Sequence, residues 1–340
     1  MNLRATTACI ATVFMIAPAL TAAMPQETIT AVCRQPNSFN IVPIAIDVPT
    51  GNGTPLLPAV IAADAEGHVS ATLDASGKLI VGLTERQSAN GPFAETLLTI
   101  DTSTGVVQSA TGALDGFAFS GNGNVWRPQS PQAEVVVTQP DGLGATSVSR
   151  VDPSSGAVTA LSPTQPSFTI PFIGLRRPYD TPAQTFFELS PQQGTVAYLL
   201  QPCSMRGARV SLPQQIARVD LTTNQVTSVP LQVPEPFCVQ SPGLVFGVVY
   251  ALAEEGGPQL LTISPDDGSV NKLGSGEPSG WRMAAVSPYV YSFSTQSLYV
   301  LNDAQTKLLR FDLGNGIATF VDVSLPASCG TVMSFAGVSP

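Results

Sequence analysis

Leu97-Leu98-Thr99-Ile100-Asp101-Thr102-Ser103-Thr104-Gly105-Val106-Val107 is the run whose reading decides the fold, because the chain repeats its pattern. Related copies stand at Ala45–Gly51 (AIDVPTG), Arg150–Gly156 (RVDPSSG), Arg218–Asn224 (RVDLTTN), Thr262–Gly268 (TISPDDG) and Arg310–Gly316 (RFDLGNG). Each is an alternating apolar run, an Asp or Ser, a tight turn closing on Gly or Asn, and a second β-rich run. That is how a hairpin between two strands is encoded. The Asp residues accept hydrogen bonds from backbone amides two residues on, so turn formation explains them without a metal.

Between the copies a second element recurs, an apolar strand ending in a Ser-Pro or Gly-rich turn. It is read at Ala71–Asp74, Phe117–Ser120, Phe187–Ser190, Cys238–Ser241, Ala284–Ser287 and Ala336–Ser339. The two elements alternate, giving four strands per unit, which is the blade of a β-propeller. The turn positions step by 54, 51, 68, 44 and 48 residues, close to blade repeats with loop insertions. The expectation is an all-β, six-bladed propeller. A β-sandwich array or a β-helix is the alternative.

The first hairpin has no inner strand before it, and the last residues, 332–340, form an inner strand with no hairpin after it. The two halves are expected to complete one blade and close the ring, leaving no free sheet edge.

Met1-Asn2-Leu3-Arg4, the apolar run to Leu20 and the small residues Thr21, Ala22 and Ala23 read as a secretory signal peptide. Its apolar core is shorter than the roughly 20 residues a membrane span needs; an uncleaved anchor is the alternative. Residues 24–340 are then expected to be a single propeller domain outside the cytoplasm: extracellular, or periplasmic or surface-bound in a bacterium. The most apolar later stretch, Gly243–Ala253, reads as one buried strand.

Lys and Arg number 15 against 24 Asp and Glu; loss of Arg4 leaves 14 against 24, a net charge of −10. That excludes nucleic acid and anionic membrane as main partners. With 44% hydrophobic and 11% charged residues the chain can bury a large core. A monomer is expected.

Cys9 leaves with the signal, so four cysteines remain and two disulfides are expected. Cys33 ends the second strand of the composite blade and Cys329 precedes its inner strand. Cys203 and Cys238 hold similar places on neighbouring strands. The expected pairs are Cys33 with Cys329 and Cys203 with Cys238.

The Ser-Pro-x-Gly inner turns and Ile-Asp-x-x-Thr-Gly hairpins resemble the superfamily of exported propellers with NHL, YVTN or gluconolactonase-type repeats. The resemblance covers the mature chain and specifies fold, not activity.

The chain has no G-x-S-x-G, H-E-x-x-H, Cys-x-x-Cys, P-loop or EF-hand pattern, and His68 is its sole histidine. Aligned inner strands place His68, Asp115, Gln184, Glu235, Arg282 and Ser334 near the channel mouth, a ring able to take a small polar ligand. The gluconolactonase-type resemblance implies a divalent metal such as Ca²⁺ there. Asp115 and Glu235 are the ring's only carboxylates and Arg282 opposes a cation, so no resident cofactor is expected in the first reading. Glu188, a charge in an apolar inner strand, is read as the partner of a nearby arginine.

The long third step carries two enlarged segments, Leu161–Gln184 and Gln201–Gln215. Arg176, Arg177, Arg206 and Arg209 lie in them with Phe172 and Tyr179. Long loops on a rigid scaffold are where binding resides, and arginine suits bidentate anion recognition. An acidic glycan or an extracellular protein's carboxylate patch is the expected partner. The alternative pairs these arginines with Asp180, Glu188 and Glu235. One glycosylation sequon, Asn52-Gly53-Thr54, is followed by Pro55, which disfavours its use.

The first reading is a non-catalytic binding propeller. The second is a metal-dependent lactone or ester hydrolase, and the third a structural surface protein.

Overall fold

The computed structural model describes residues 24–62, 69–74, 76–86, 93–111, 125–126, 134–140, 146–152, 155, 157–160, 184–189, 196–200, 205–206, 209–210, 214–220, 223, 225–233, 239–254, 257–275, 281 and 288–340. Every regular element among them is a strand. No helix there is long and apolar enough to cross a membrane.

In chain order, β1 (Thr28–Arg34), β2 (Ile41–Asp47) and β3 (Gly53–Pro55) form three strands of the first sheet. A second sheet is β4 (Val69–Leu73), β5 (Leu79–Arg86), β6 (Phe93–Ile100) and β7 (Val107–Thr111). A third is β8 (Val125–Trp126), β9 (Glu134–Pro140), β10 (Thr146–Val151) and β11 (Val158–Ala160). Then come β12 (Gln184–Leu189), β13 (Val196–Leu200), the small pair β14 (Met205–Arg206) and β15 (Arg209–Val210), β16 (Gln215–Asp220) and β17 (Gln225–Pro230). The run β18 (Val239–Val245), β19 (Val248–Glu254), β20 (Pro258–Ile263) and β21 (Val270–Leu273) follows. After it lie β22 (Tyr289–Ser292), β23 (Ser297–Leu301), β24 (Lys307–Asp312) and β25 (Ala318–Asp322), and lastly β26 (Thr331–Ser339).

The architecture is an all-β propeller of four-stranded antiparallel blades. Six separate blades were the expectation, and the structure corrects it. Four four-stranded sheets stand alone, while β17-β16-β13-β12 and β18-β19-β20-β21 share one eight-stranded sheet. The cause is a short parallel ladder, Glu188 with Leu244 and Leu189 with Val245, which joins β12 to β18. All six copies of the repeat lie between antiparallel strands, from β2–β3 to β24–β25. The chain's last strand, β26, pairs with β1 along its whole length, Thr28 opposite Ser339 and Arg34 opposite Thr331. The two ends of the described chain therefore share one sheet, ordered β26-β1-β2-β3.

Alternation sends the two faces of that sheet into different cores. Ile29, Ala31 and Cys33 of β1 pack with Val290, Tyr299, Leu301 and Leu308 of the β22–β25 blade. Val32 packs with Leu79, Val81, Leu98 and Ile100 of the β4–β7 blade. Both faces are dry, so these strands read as near-continuous apolar runs.

Two local readings also change. The segment 243–253 is not one strand: it folds back at Phe246-Gly247, both at positive φ, into β18 and β19. Ser241-Pro242 does not end an inner strand. It is a bulge within β18, between Gln240 and Gly243, with Ser241 at φ 55. Tyr291 Oη donates to the Ser241 carbonyl at 2.7 Å and its ring lies where a Gly243 side chain would be.

The repeat's turns do more than reverse the chain. Asp side chains accept amides as expected, for instance Ser103 N to Asp101 at 2.9 Å and Gly314 N to Asp312 at 2.8 Å. Three of the glycines are in addition pressed against the preceding blade. A Cβ on Gly51 would overlap the Asp322 carbonyl, one on Gly268 the Pro230 carbonyl, and one on Gly316 the Leu273 carbonyl. Backbone bonds seal the contact: Gly53 N to Ser324 O at 2.8 Å, Ser324 N to Gly51 O at 3.0 Å, Gln232 N to Gly268 O at 2.7 Å. Gly51→Ala therefore meets both a positive φ and a backbone clash, and urea unfolding is expected to show a loss of about 3 kcal/mol. Gly77, at φ 84 with nothing within 4 Å of its would-be Cβ, isolates the first effect. Gly77→Ala is expected to cost about 1 kcal/mol; equal losses at the two sites would refute the clasp.

Hydrogen bonds shift two turn carboxyls from 3.8 to about 2. The Ser103 hydroxyl is the largest cause at Asp101, and the Ser264 hydroxyl at Asp267. The folded-state values lie below the unfolded one. Their stabilisation is thus present above pH 3.8 and is lost as pH falls towards 2. Carboxyl NMR titration should find these two groups titrating near pH 2; midpoints near 4 would show that the turn bonds do not hold in solution.

Candidate functional site

The second strand of an antiparallel meander ends at the blade end where the inner strand begins. At the β12–β17 half of the large sheet this has a consequence for the arginine-bearing segments. Gln184, which follows 161–183, is the direct register partner of Leu200, which precedes 201–213. The bases of the two segments are thus held side by side.

Within the second segment, β14 and β15 form their own two-stranded sheet, Met205 opposite Val210 and Arg206 opposite Arg209. The pairing sets two basic positions across from each other on one ribbon. Arg176, Arg177 and Tyr179 of the first segment lie outside the described residues. So do His68, Asp115, Glu235, Arg282, Cys203 and Cys238. Glu188 is placed by backbone alone, opposite Leu244.

The far end of 201–213 is anchored by a residue that sequence reading missed. Gln214 is buried, and its amide clasps the backbone of Val239 twice: Nε2 donates to Val239 O at 2.8 Å and Oε1 accepts from Val239 N at 2.7 Å. Val239 is the first residue of β18 and follows Cys238. Gln305 does the same to Val332 of β26, Nε2 to O at 2.8 Å and N to Oε1 at 2.7 Å. In both, a glutamine between second and third strands grips the inner strand of the next blade. Both strand pairs are separated in sequence by loops of unequal length, so no fixed spacing announces the device.

Cys33 and Cys329 are bonded, as the strand order implied, with a Cα–Cα distance of 5.3 Å. Cys33 is the penultimate residue of β1, at the same end of its blade that Leu200 marks on β13. Ser334, placed by sequence near the channel mouth, is fully buried. Its Oγ accepts from Ala71 N of β4 at 3.1 Å and donates to Phe335 O at 3.3 Å. Its hydroxyl holds two blades together. Among the described residues no three His, Cys, Asp or Glu are grouped to hold a metal ion.

A buried acidic residue is the other feature absent from the sequence reading. Glu27, just before β1, is 3% exposed. Its carboxyl accepts hydrogen bonds from Ser292 Oγ (2.5 Å), Ser294 Oγ (2.6 Å), Thr295 Oγ1 (2.9 Å) and Tyr299 Oη (2.5 Å). Arg310 Nε donates to Ser297 Oγ at 2.8 Å beside it. Burial first, then the bond to Glu27, holds the Tyr299 phenol above the ordinary tyrosine range. The nest is the turn between β22 and β23, Ser292-Phe293-Ser294-Thr295-Gln296-Ser297, so Glu27 pins the start of the first strand to the neighbouring blade.

No protein-family model matches the chain, and no curated protein matches it. Solved structures similar to it include the β-propeller domain of the Trilobed protease from Pyrococcus furiosus, at 12% identity and TM-score 0.46, covering 88% of this chain and 79% of that one. The periplasmic gluconolactonase PpgL of Pseudomonas aeruginosa gives 13% identity, TM-score 0.44, and 90% and 98% coverage. The α-L-arabinanase of Penicillium chrysogenum, complexed with arabinobiose, gives 10% identity, TM-score 0.46, and 88% and 91% coverage. At these identities none of the likenesses transfers an activity to this chain.

Proposed function

We propose that the chain is an exported β-propeller that binds an anionic ligand, without catalysis, through the blade end bearing 161–183 and 201–213. The observation that carries this reading is the register of Arg206 opposite Arg209 on a ribbon outside the large sheets. Like charges directly opposite each other are destabilising on their own, and an anion between them reverses the sign of that interaction. Arg176, Arg177 and Tyr179 extend the basic surface from the adjoining segment, with His68, Asp115, Glu235 and Arg282 around the channel mouth. Gln214 supports the reading by fixing one end of 201–213, which lowers the ordering cost of binding. A Cys203–Cys238 bond would fix the other. The Cys33–Cys329 disulfide supports export, since such bonds persist in oxidising compartments. Ring closure through the β26-β1-β2-β3 blade completes the proposed scaffold.

The test is calorimetry of residues 24–340 with a short oligogalacturonate at two salt concentrations, against Arg206→Ala/Arg209→Ala and Arg176→Ala/Arg177→Ala. Micromolar binding that weakens with salt and falls at least tenfold in each pair is the expected result. No binding, or binding by both variants as tight as the parent's, refutes it. The metal-dependent lactone hydrolase alternative is checked on the same sample. Ca²⁺-dependent melting together with lactone hydrolysis lost in Asp115→Ala would replace the binding reading with that one. Neither binding nor a metal response would favour a structural surface protein.

A further inference from the structure

The turn joining β18 to β19 is Phe246-Gly247, with φ of 51 and 74. Two-residue hairpin turns with both central residues at positive φ ordinarily carry Asn or Asp before Gly, whose small polar side chains tolerate that backbone. A bulky aromatic there is an outlier. Burial does not compensate it, because Phe246 is 54% exposed. Its ring lies against Phe293 of the next turn, centroids 4.6 Å apart and planes tilted by 37°.

That next turn also holds a non-glycine residue at positive φ, Gln296 at 48, which is exposed. The Gln296 carbonyl accepts from Leu313 N at 2.9 Å, and Ser297 is the cross-strand partner of Asp312, so the half-exposed Asp312 stands next to the same turn. Tyr250 of β19 is near enough that burial first, and then the Asp312 charge, raise its phenol. Beneath Phe293 the hydroxyls of Ser292, Ser294 and Thr295 are all bound to Glu27, which makes the turn rigid. Two adjacent turns therefore present an aromatic pair, with the exposed Gln296 on the second of them. Asp312 stands beside that turn, and its carboxylate also takes the Gly314 and Asn315 amides and faces Arg310 Nη2 at 3.7 Å. The two turns lie at the opposite end of the strands from the arginine-bearing segments.

We propose that this surface is a saccharide subsite in which the Phe246 ring stacks on the apolar face of a neutral pyranose while Gln296 and Asp312 meet its hydroxyls. Backbone outliers that the fold maintains concentrate at ligand clamps, and here the outlier holds a half-exposed ring against Phe293. The C–H face of a pyranose matches the electron-rich face of the ring, and amide and carboxylate groups match vicinal hydroxyls. A protein partner does not fit. Among the described residues the exposed large hydrophobics at these turns are Phe246 and Val248, a small surface against the roughly 800 Å² per side of a stable interface. The site is independent of the anion-binding reading.

The experiment titrates residues 24–340 with cellotetraose and with chitotetraose by NMR, alongside Phe246→Asn. Asn suits the positive φ, so the variant is expected to melt at or above the parent temperature while its affinity for the bound sugar drops at least tenfold. Gln296→Asn is expected to weaken binding several-fold. The parent binding neither sugar, Phe246→Asn binding as tightly as the parent, or Phe246→Asn melting several degrees lower would each overturn the proposal. The last result would show that the ring is structural.

Discussion

Replacing Cys33 and Cys329 together by Ser is expected to remove about 5 kcal/mol of stability, the largest single loss in the molecule. The bond spans 296 residues, so in the chain-entropy account its absence releases nearly the whole unfolded chain from closure. Location adds to the effect. Cys33 is fully buried in β1 and Cys329 lies at the entry to β26, the two strands that pair along the shared sheet. Denaturant unfolding of the double variant, compared with the parent under oxidising conditions, measures the loss. A difference below 1 kcal/mol would mean that β26 stays associated with β1 in the unfolded ensemble or that the bond adds nothing to the β1–β26 pairing made by hydrogen bonds.

Glu27→Ala is expected to cost about 4 kcal/mol, because it strips the shared acceptor from four hydroxyl donors at once. Ser292 and Tyr299 are buried and have no water to turn to. Glu27→Gln keeps the shape but exchanges one acceptor oxygen for a donor amide, so about 2 kcal/mol is expected. Tyr299→Phe removes one donor, and in a double-mutant cycle it should cost much less on the Glu27→Ala background than on the parent. Additive losses would show that Tyr299 and Glu27 do not interact in solution.

What the sequence disclosed and what it hid divide along physical lines. The six hairpins were legible because their determinants are local: Asp101 bonds to amides two and three residues on, and Gly105 takes the positive φ within the same turn. The Cys33–Cys329 pair was legible because strand order alone put both residues at one end of one blade. The β18–β19 turn was not, since Val245-Phe246-Gly247-Val248 carries no Asn or Asp and reads as continuous strand. Ser241-Pro242 misled for the opposite reason: a turn dipeptide was absorbed as a bulge once Tyr289 and Tyr291 of the next blade packed on it. The fusion of two four-stranded runs through β12 and β18 depends on two parallel register pairs that no pattern encodes. Glu27 finds its donors 265 to 272 residues away, beyond any local motif. The residues offered for the anionic site were chosen by charge and loop length. The backbone pairs the flanking residues Gln184 and Leu200 and sets Arg206 opposite Arg209.

One sheet is built from both ends of the described chain, and native-state hydrogen exchange tests this most directly. The amides of β1 and β26 are expected to exchange with the same high opening free energy, as one cooperative unit despite some 300 residues of separation. Protection of β1 with rapid exchange along Thr331–Ser339 would contradict it, since β26 would then be a loose tail and not a strand of that sheet.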